Sequence, residues 1–138
     1  MNTTFFELPS PFETELGLVR LLEPPTSDAD LLSDQLRRGT YGRPFLVESD
    51  GVVTLYFTLS LVQSSMQLNR PDHLDLAYTR KMMAFLPFYP RPKGLLLLGM
   101  GGGSLAKFCY RHLSRGDITV VEIDPDVIAF RDAFRVPA

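Results

Sequence analysis

The pattern of apolar and polar positions predicts a strand-rich region in the first half of the chain. Apolar residues run from Phe45 to Val47 and again from Val52 to Phe57. Asp50-Gly51 lies between these runs and is a strong hairpin signal, because glycine accepts the positive φ that such turns require. A further strand is predicted between Leu59 and Ser65. Residues 41–70 are therefore predicted to form a small antiparallel β-hairpin or meander domain.

The N-terminal segment, 1–40, shows a weaker pattern. Prolines interrupt it and disfavour a long helix. A short helix is predicted over 29–38, since Ser27 or Asp28 can cap its start and Gly39 can end it.

A linking segment, 71–92, follows the strand region. Apolar residues recur there at spacings of three and four, which predicts a helix from 73 to about 85 with Asp72 as its N-cap. Three prolines then close the helix and form a linker to the rest of the chain.

After residue 93 the pattern changes to alternating strand and helix. Because both strands are apolar throughout, we expect them to pair in parallel and to be covered on both faces. The right-handed crossover rule applies to such a unit. The predicted order is strand 94–98, helix 104–113, strand 118–123 and helix 125–134, the last beginning with Pro125 after Asp124 as its cap.

Composition and charge exclude several classes of function. Lys plus Arg number 14 and Asp plus Glu 16 among 138 residues, so the net charge of −2 does not favour a nucleic-acid partner. No apolar run approaches the ~20 residues that cross a bilayer, so no membrane span is expected. The single cysteine, Cys109, cannot form an internal disulfide, and no pairing of His or carboxylates indicates a metal site. A cytoplasmic location is expected.

The turn after the first parallel strand carries the most informative motif. Gly99, Gly101 and Gly103 open the next helix, where small residues let a ligand approach the backbone and the helix start offers N–H groups. Glu122 ends the second parallel strand, 23 positions after Gly99. That spacing is near the ~20 expected for an acid that binds ribose hydroxyls. The combination favours an adenosine-containing ligand.

Two other interpretations of this motif remain open. A dinucleotide fingerprint requires glycine or alanine at its sixth position, which is Ser104 here, so NAD or FAD is less favoured than a nucleoside sulfonium. Alternatively, the glycines only form a tight turn and Glu122 is a solvated acid.

The segment from Gly94 to Pro137 resembles the spermidine synthase (polyamine aminopropyltransferase) family. The matching text is LLLLGMGGGSLAKF followed by ITVVEIDPDVI, with weaker similarity back to about residue 44. The resemblance implies an α/β protein with an N-terminal β-hairpin domain followed by a Rossmann-like (SAM-methyltransferase-like) domain. Residues 93–138 would be the first βαβα part of that second domain.

The resemblance also implies a ligand and a set of binding residues. The glycine loop would bind decarboxylated S-adenosylmethionine or its product methylthioadenosine, and Glu122 would bind the ribose. Gln63 would reach the same pocket from the hairpin domain, with Gln67 as the rival alignment. Asp124 matches a position beside the nucleoside, although a helix cap is its simpler role, and Tyr78 matches a weak substrate contact. The implied residues are Gln63, Gly99, Gly101, Gly102, Gly103, Glu122 and Asp124 for the nucleoside and Tyr78 for the substrate.

Three departures from the family pattern concern the amine end of the site. The family loop usually reads GGGDG, and Gly102 stands at the position of its Asp. Tyr78-Thr79-Arg80 replaces a Tyr-His-Glu sequence, and Leu59-Ser60 replaces an Asp-Gly. The acceptor amine therefore stays open.

The implied activity is transfer of an aminopropyl group to a putrescine-type amine. In the family the catalytic Asp lies on a later strand, so we expect no catalytic residue within this chain. We also expect the 138 residues to be the front portion of a longer homodimeric chain and to be inactive alone. The alternatives are a SAM-dependent methyltransferase, which would share the loop and Glu122, and a non-catalytic nucleoside-binding or dimerisation module.

Overall fold

The computed structural model describes residues 3–113 and 116–138, which form an α/β structure with one antiparallel and one parallel sheet. The antiparallel sheet has five strands in the order of the chain, so each strand pairs with the next as in a meander. These strands are β1 (Phe6–Pro9), β2 (Leu18–Leu21), β3 (Phe45–Ser49), β4 (Val52–Thr58) and β5 (Leu61–Gln67).

The N-terminal segment contributes two strands that the sequence pattern did not predict. β2 pairs with β3, with Val19 opposite Val47, so the sheet extends beyond the predicted 41–70 region. Helix α1 (Ala29–Arg38) occupies the predicted span. The Asp28 side chain accepts from the backbone N–H of Asp30, and Gly39 ends the helix at φ 68°.

Both faces of the antiparallel sheet are covered. Phe45 and Val47 point to the face on which Leu32 and Leu36 of α1 pack. Leu46, between them, points to the opposite face and packs with Phe130 near the C-terminus. The sheet thus has a separate apolar cluster on each face.

The linking helix begins later than predicted. Helix α2 spans Ala77–Met82 and continues as a single 3₁₀ turn, Met83–Phe85, whereas the pattern predicted a start at residue 73. The predicted cap, Asp72, instead pairs with Arg111 at 2.7 Å. The Asp75 carboxylate accepts hydrogen bonds from β5, so neither acid is available to begin a helix.

The second half follows the predicted order of strand and helix. The elements are β6 (Gly94–Leu98), α3 (Ser104–His112), β7 (Asp117–Val121) and α4 (Pro125–Ala129). β6 and β7 are parallel, with Leu98 opposite Val121. α4 ends five residues before the predicted limit, Phe134.

The expectation that both parallel strands are covered on two faces is wrong for the described residues. Leu95 and Ile118 pack toward α3. Leu96 and Leu98 on the other face are 62% and 80% exposed, so the described residues leave that face largely uncovered. No helix in the described part of the chain has the length and apolar character that a bilayer crossing requires.

Candidate functional site

The glycine loop, residues 99–103, connects the end of β6 to the start of α3. Gly99, Gly101 and Gly103 have φ values of 89°, 54° and 68°, in the left-handed region that favours glycine. The spacing of the glycines is therefore required by the backbone path of this turn, whatever it binds.

The carboxylate of Glu122 lies against this loop. Its Oε2 accepts from the backbone N–H of Met100 at 2.7 Å and of Gly101 at 3.4 Å, and its Oε1 accepts from the N–H of Asp124 at 2.9 Å. These contacts fix the carboxylate against the loop, and the backbone N–H of Ile123 also acts on it. Glu122 thus faces the turn, as the adenosine interpretation requires, rather than pointing freely into solvent.

The environment of Glu122 keeps it ionised. Partial burial raises the pKa of this carboxyl group, but hydrogen bonds from the backbone N–H groups of Asp124, Met100 and Gly101 outweigh burial and leave the pKa below its usual value. The site therefore presents a fixed negative charge beside the loop at neutral pH.

Each backbone N–H of the glycine loop already has an acceptor within the chain. The N–H of Gly99 donates to Val121 O at 2.7 Å and that of Gly103 to Met100 O at 2.8 Å. The N–H of Gly102 donates to Ser64 Oγ at 2.8 Å, and Glu122 accepts the remaining two. A phosphate placed on this loop would have to displace these acceptors and would lie next to a carboxylate. The arrangement therefore disfavours a pyrophosphate ligand.

A cavity of about 270 Å³ lies between the loop, β5 and α2. Its lining combines polar groups, from Glu122 and the loop, with apolar side chains that include Phe57, Met82 and Leu98. Such a lining suits a ligand that has both hydroxyl groups and an apolar ring.

The structure brings five of the eight predicted site residues to this cavity. They are Gln63, Tyr78, Gly99, Gly101 and Glu122. The Tyr78 hydroxyl donates to the backbone carbonyl of Gln63 at 2.9 Å. The rival residue Gln67 instead donates to Asp75 Oδ1 at 2.7 Å and lies outside the cavity lining.

The other three predicted residues, Gly102, Gly103 and Asp124, do not line the cavity. Gly102 is buried behind the loop, where a Cβ would lie 2.8 Å from Phe134 ring carbons and from Ser64 Cβ. Gly103 precedes α3, where a Cβ would lie 2.3 Å from Val136 Cγ2. The Asp124 side chain accepts from the N–H of Asp126 at 2.9 Å, which is the helix-cap role.

Sequence reasoning missed Ser64 and Phe134. The buried hydroxyl of Ser64 reaches across 38 positions of sequence to the loop. The sequence carries one signal for this contact, a serine within the strand predicted between Leu59 and Ser65.

A larger cavity, of about 690 Å³, lies away from the glycine loop. It is bordered by Arg70, Arg80 and Arg111, and none of the predicted site residues lines it. Among the described residues, no group of three or more His, Cys, Asp or Glu is arranged to hold a metal ion.

Comparison with known proteins identifies relatives for part of the chain. A polyamine aminopropyltransferase of Chromobacterium violaceum is 40% identical over 87 residues, which cover 63% of this chain and 33% of the relative. Polyamine aminopropyltransferases of Neisseria meningitidis serogroups A and B are each 38% identical over 92 residues, which cover 65% of this chain and 35% of the relative.

The chain spans about a third of the length of these relatives. No protein-family model matches it, and no solved structure matches it significantly. The relatives nevertheless confirm the resemblance that the glycine loop, β7 and the following Glu122 indicate. Over this part of its length the chain is similar to the polyamine aminopropyltransferase (spermidine synthase) family.

Proposed function

We propose that this chain forms the nucleoside-binding part of a Rossmann-like aminopropyltransferase in polyamine biosynthesis, and that it binds decarboxylated S-adenosylmethionine or methylthioadenosine. The observation that carries the proposal is the Glu122 carboxylate, held against the glycine loop and lining a cavity. A carboxylate is an acceptor of the kind that ribose hydroxyls can donate to. The relatives, which are polyamine aminopropyltransferases, support the reaction class.

The charge of the site favours a sulfonium over a phosphate. Glu122 is ionised, and the N–H groups of the loop are occupied by acceptors of the chain itself. A phosphate would therefore meet repulsion without gaining donors, whereas a cationic sulfonium would gain attraction at short range. A neutral thioether product would lose that attraction and would be easier to release.

Aminopropyl transfer needs a base as well as a bound nucleoside. The amine attacks the carbon next to the sulfonium, the carbon–sulfur bond breaks toward sulfur, and the attacking nitrogen loses a proton. Glu122 is the only acid among the described residues that line the cavity, and its lowered pKa makes it a poor base. We therefore propose that the chain alone binds the nucleoside without turnover, and that the base lies outside it, as the family resemblance implies.

The acceptor end of the cavity differs from the family pattern. Gly102 stands where the family has Asp, and its surroundings leave no room for a side chain. The Arg80 side chain donates to the carbonyls of Leu74 and Asp75 at 2.8 Å and so is turned away from the cavity. These features favour, as a second candidate, a non-catalytic nucleoside-binding module. The contribution of Gln63 from the hairpin region favours the aminopropyltransferase over a methyltransferase.

Calorimetric titration of the 138-residue chain separates these functions. We expect methylthioadenosine to bind more tightly than S-adenosylhomocysteine. An added effect of putrescine on that affinity would support the transferase, and its absence would support the non-catalytic module. Tighter binding of S-adenosylhomocysteine would instead indicate a methyltransferase and would overturn the proposal. The homodimer and the cytoplasmic location remain predictions.

A further inference from the structure

One hydrogen bond joins the antiparallel sheet directly to the glycine loop. Ser64 of β5 is 4% exposed, and its Oγ accepts from the N–H of Gly102 at 2.8 Å. The loop belongs to the parallel-sheet half of the chain and Ser64 to the other half. The position of the loop is therefore set in part by a strand that is remote in sequence.

A bulge in β5 gives Ser64 its direction. Leu55 of β4 pairs with Ser64, but the next residue, Tyr56, pairs with Val62, so Gln63 is an extra residue without a partner. In a regular strand Gln63 and Ser64 would point to opposite faces. The bulge re-aims them, and both line the cavity beside the loop.

The surroundings of Gly102 leave no room for a side chain at that position. A Cβ at position 102 would lie 2.8 Å from Cδ1 and Cε1 of Phe134 and 2.8 Å from Cβ of Ser64. Ser64 and Phe134 thus fill the space that a side chain at 102 would occupy. Gly102 has no side chain of its own with which to fix the loop.

We propose that Ser64 is a positioning residue, which holds Gly102 so that the N–H groups of Met100 and Gly101 stay directed at the Glu122 carboxylate. The inference rests on the proposed nucleoside-binding function, since Glu122 is the group that would meet the ribose. Ser64 acts through the loop: loss of its hydroxyl leaves the buried N–H of Gly102 without an acceptor and frees the loop to move.

The chain offers a matched control one residue away. Ser65 is also a buried serine of β5, but its Oγ donates to Asp75 Oδ2 at 2.5 Å, on the side away from the loop. Ser64→Ala and Ser65→Ala therefore remove the same atom from neighbouring positions. Ser64→Cys retains the size of the side chain with a much weaker acceptor.

Two readouts on the 138-residue chain test the proposal. Hydrogen exchange of the Gly102 amide, measured by NMR without ligand, should accelerate at least about fivefold in Ser64→Ala and Ser64→Cys and stay within twofold of wild type in Ser65→Ala. The dissociation constant for methylthioadenosine should rise about five- to tenfold in the two Ser64 variants only.

The proposal is overturned if Gly102 exchange and affinity in Ser64→Ala match the wild type, or if Ser65→Ala alters both to the same extent. Should wild-type chain fail to bind methylthioadenosine, the proposed function fails by itself. The exchange rates would still decide whether Ser64 positions the loop.

Discussion

Replacing Gly102 by alanine tests whether the space beside the loop is too small for a side chain. Gly102 is buried, and its φ lies outside the left-handed region, so alanine meets no backbone penalty there. The methyl group would instead lie 2.8 Å from two ring carbons of Phe134 and from Ser64 Cβ, well inside contact distance. Overpacking of this kind destabilises by about 1–3 kcal/mol.

Gly42→Ala is the matched control for this substitution. A Cβ at residue 42 meets nothing within 4 Å, and Gly42 also lies outside the left-handed region. Both variants lose the same flexibility of the unfolded chain, which stabilises by about 0.4–1 kcal/mol where the folded backbone is compatible. The difference between them therefore isolates the steric term. In urea unfolding, the free energy of unfolding of Gly102→Ala should be about 1–3 kcal/mol lower than that of Gly42→Ala.

Gly102→Asp should be more destabilising still, because it also buries a carboxylate beside the Phe134 ring. Phe134→Leu replaces the ring by a smaller side chain. In a double-mutant cycle it should therefore reduce the destabilisation caused by Gly102→Ala by about 1 kcal/mol. If Gly102→Ala and Gly42→Ala are equally stable, the argument that residue 102 has no room for a side chain is refuted. Strictly additive effects of Gly102→Ala and Phe134→Leu on stability would refute it as well.

Two further predictions concern the packing around the site. Burial lowers the pKa of Lys107 to about 8, so the unfolded chain binds more protons above that pH and the free energy of unfolding should rise between pH 7 and 9.5. With a pKa of ~10.4 in the unfolded chain, the free energy of unfolding rises by about 2 kcal/mol over this range. Lys107→Met should abolish the rise when urea unfolding is measured as a function of pH. An unchanged pH profile in the variant would contradict this prediction. The Arg43 guanidinium binds both carboxylate oxygens of Asp126, at 2.9 and 3.0 Å, and so joins the segment before β3 to α4. Arg43→Ala should lower the free energy of unfolding by about 1 kcal/mol, because its pair with Asp126 is bidentate. Arg38→Ala, which breaks an exposed pair within α1, should change it by less than about 0.5 kcal/mol. Equal losses in the two variants would contradict the interpretation.

Elements defined by nearby residues were predictable from the sequence. Helix α1 lies between Asp28 and Gly39, whose capping roles are local. The β3–β4 hairpin follows from Asp50-Gly51 for the same reason. β1 and β2 were not predictable, because each has four residues and pairs with a partner that the local pattern does not reveal.

The candidate site also combines features set by nearby residues, which were predictable, with contacts between distant residues, which were not. The glycine loop and Glu122 form a pattern within one βαβ unit, so their meeting could be predicted from spacing alone. The contacts of Gly102 with Ser64 and Phe134 join distant parts of the chain and depend on how the two sheets pack. The start of α2 was misplaced for a related reason, since the partner of Asp72 is Arg111.

The most direct test of the proposed ligand compares methylthioadenosine with adenosine 5′-monophosphate on the wild-type chain and on Glu122→Gln. Glu122 accepts from the loop and carries the charge that would repel a phosphate, so we expect methylthioadenosine to bind at least about tenfold more tightly than the monophosphate. Glu122→Gln should reduce that preference, because it weakens the binding of methylthioadenosine and removes the charge that repels the monophosphate. Equal or tighter binding of the monophosphate to wild-type chain would contradict the account.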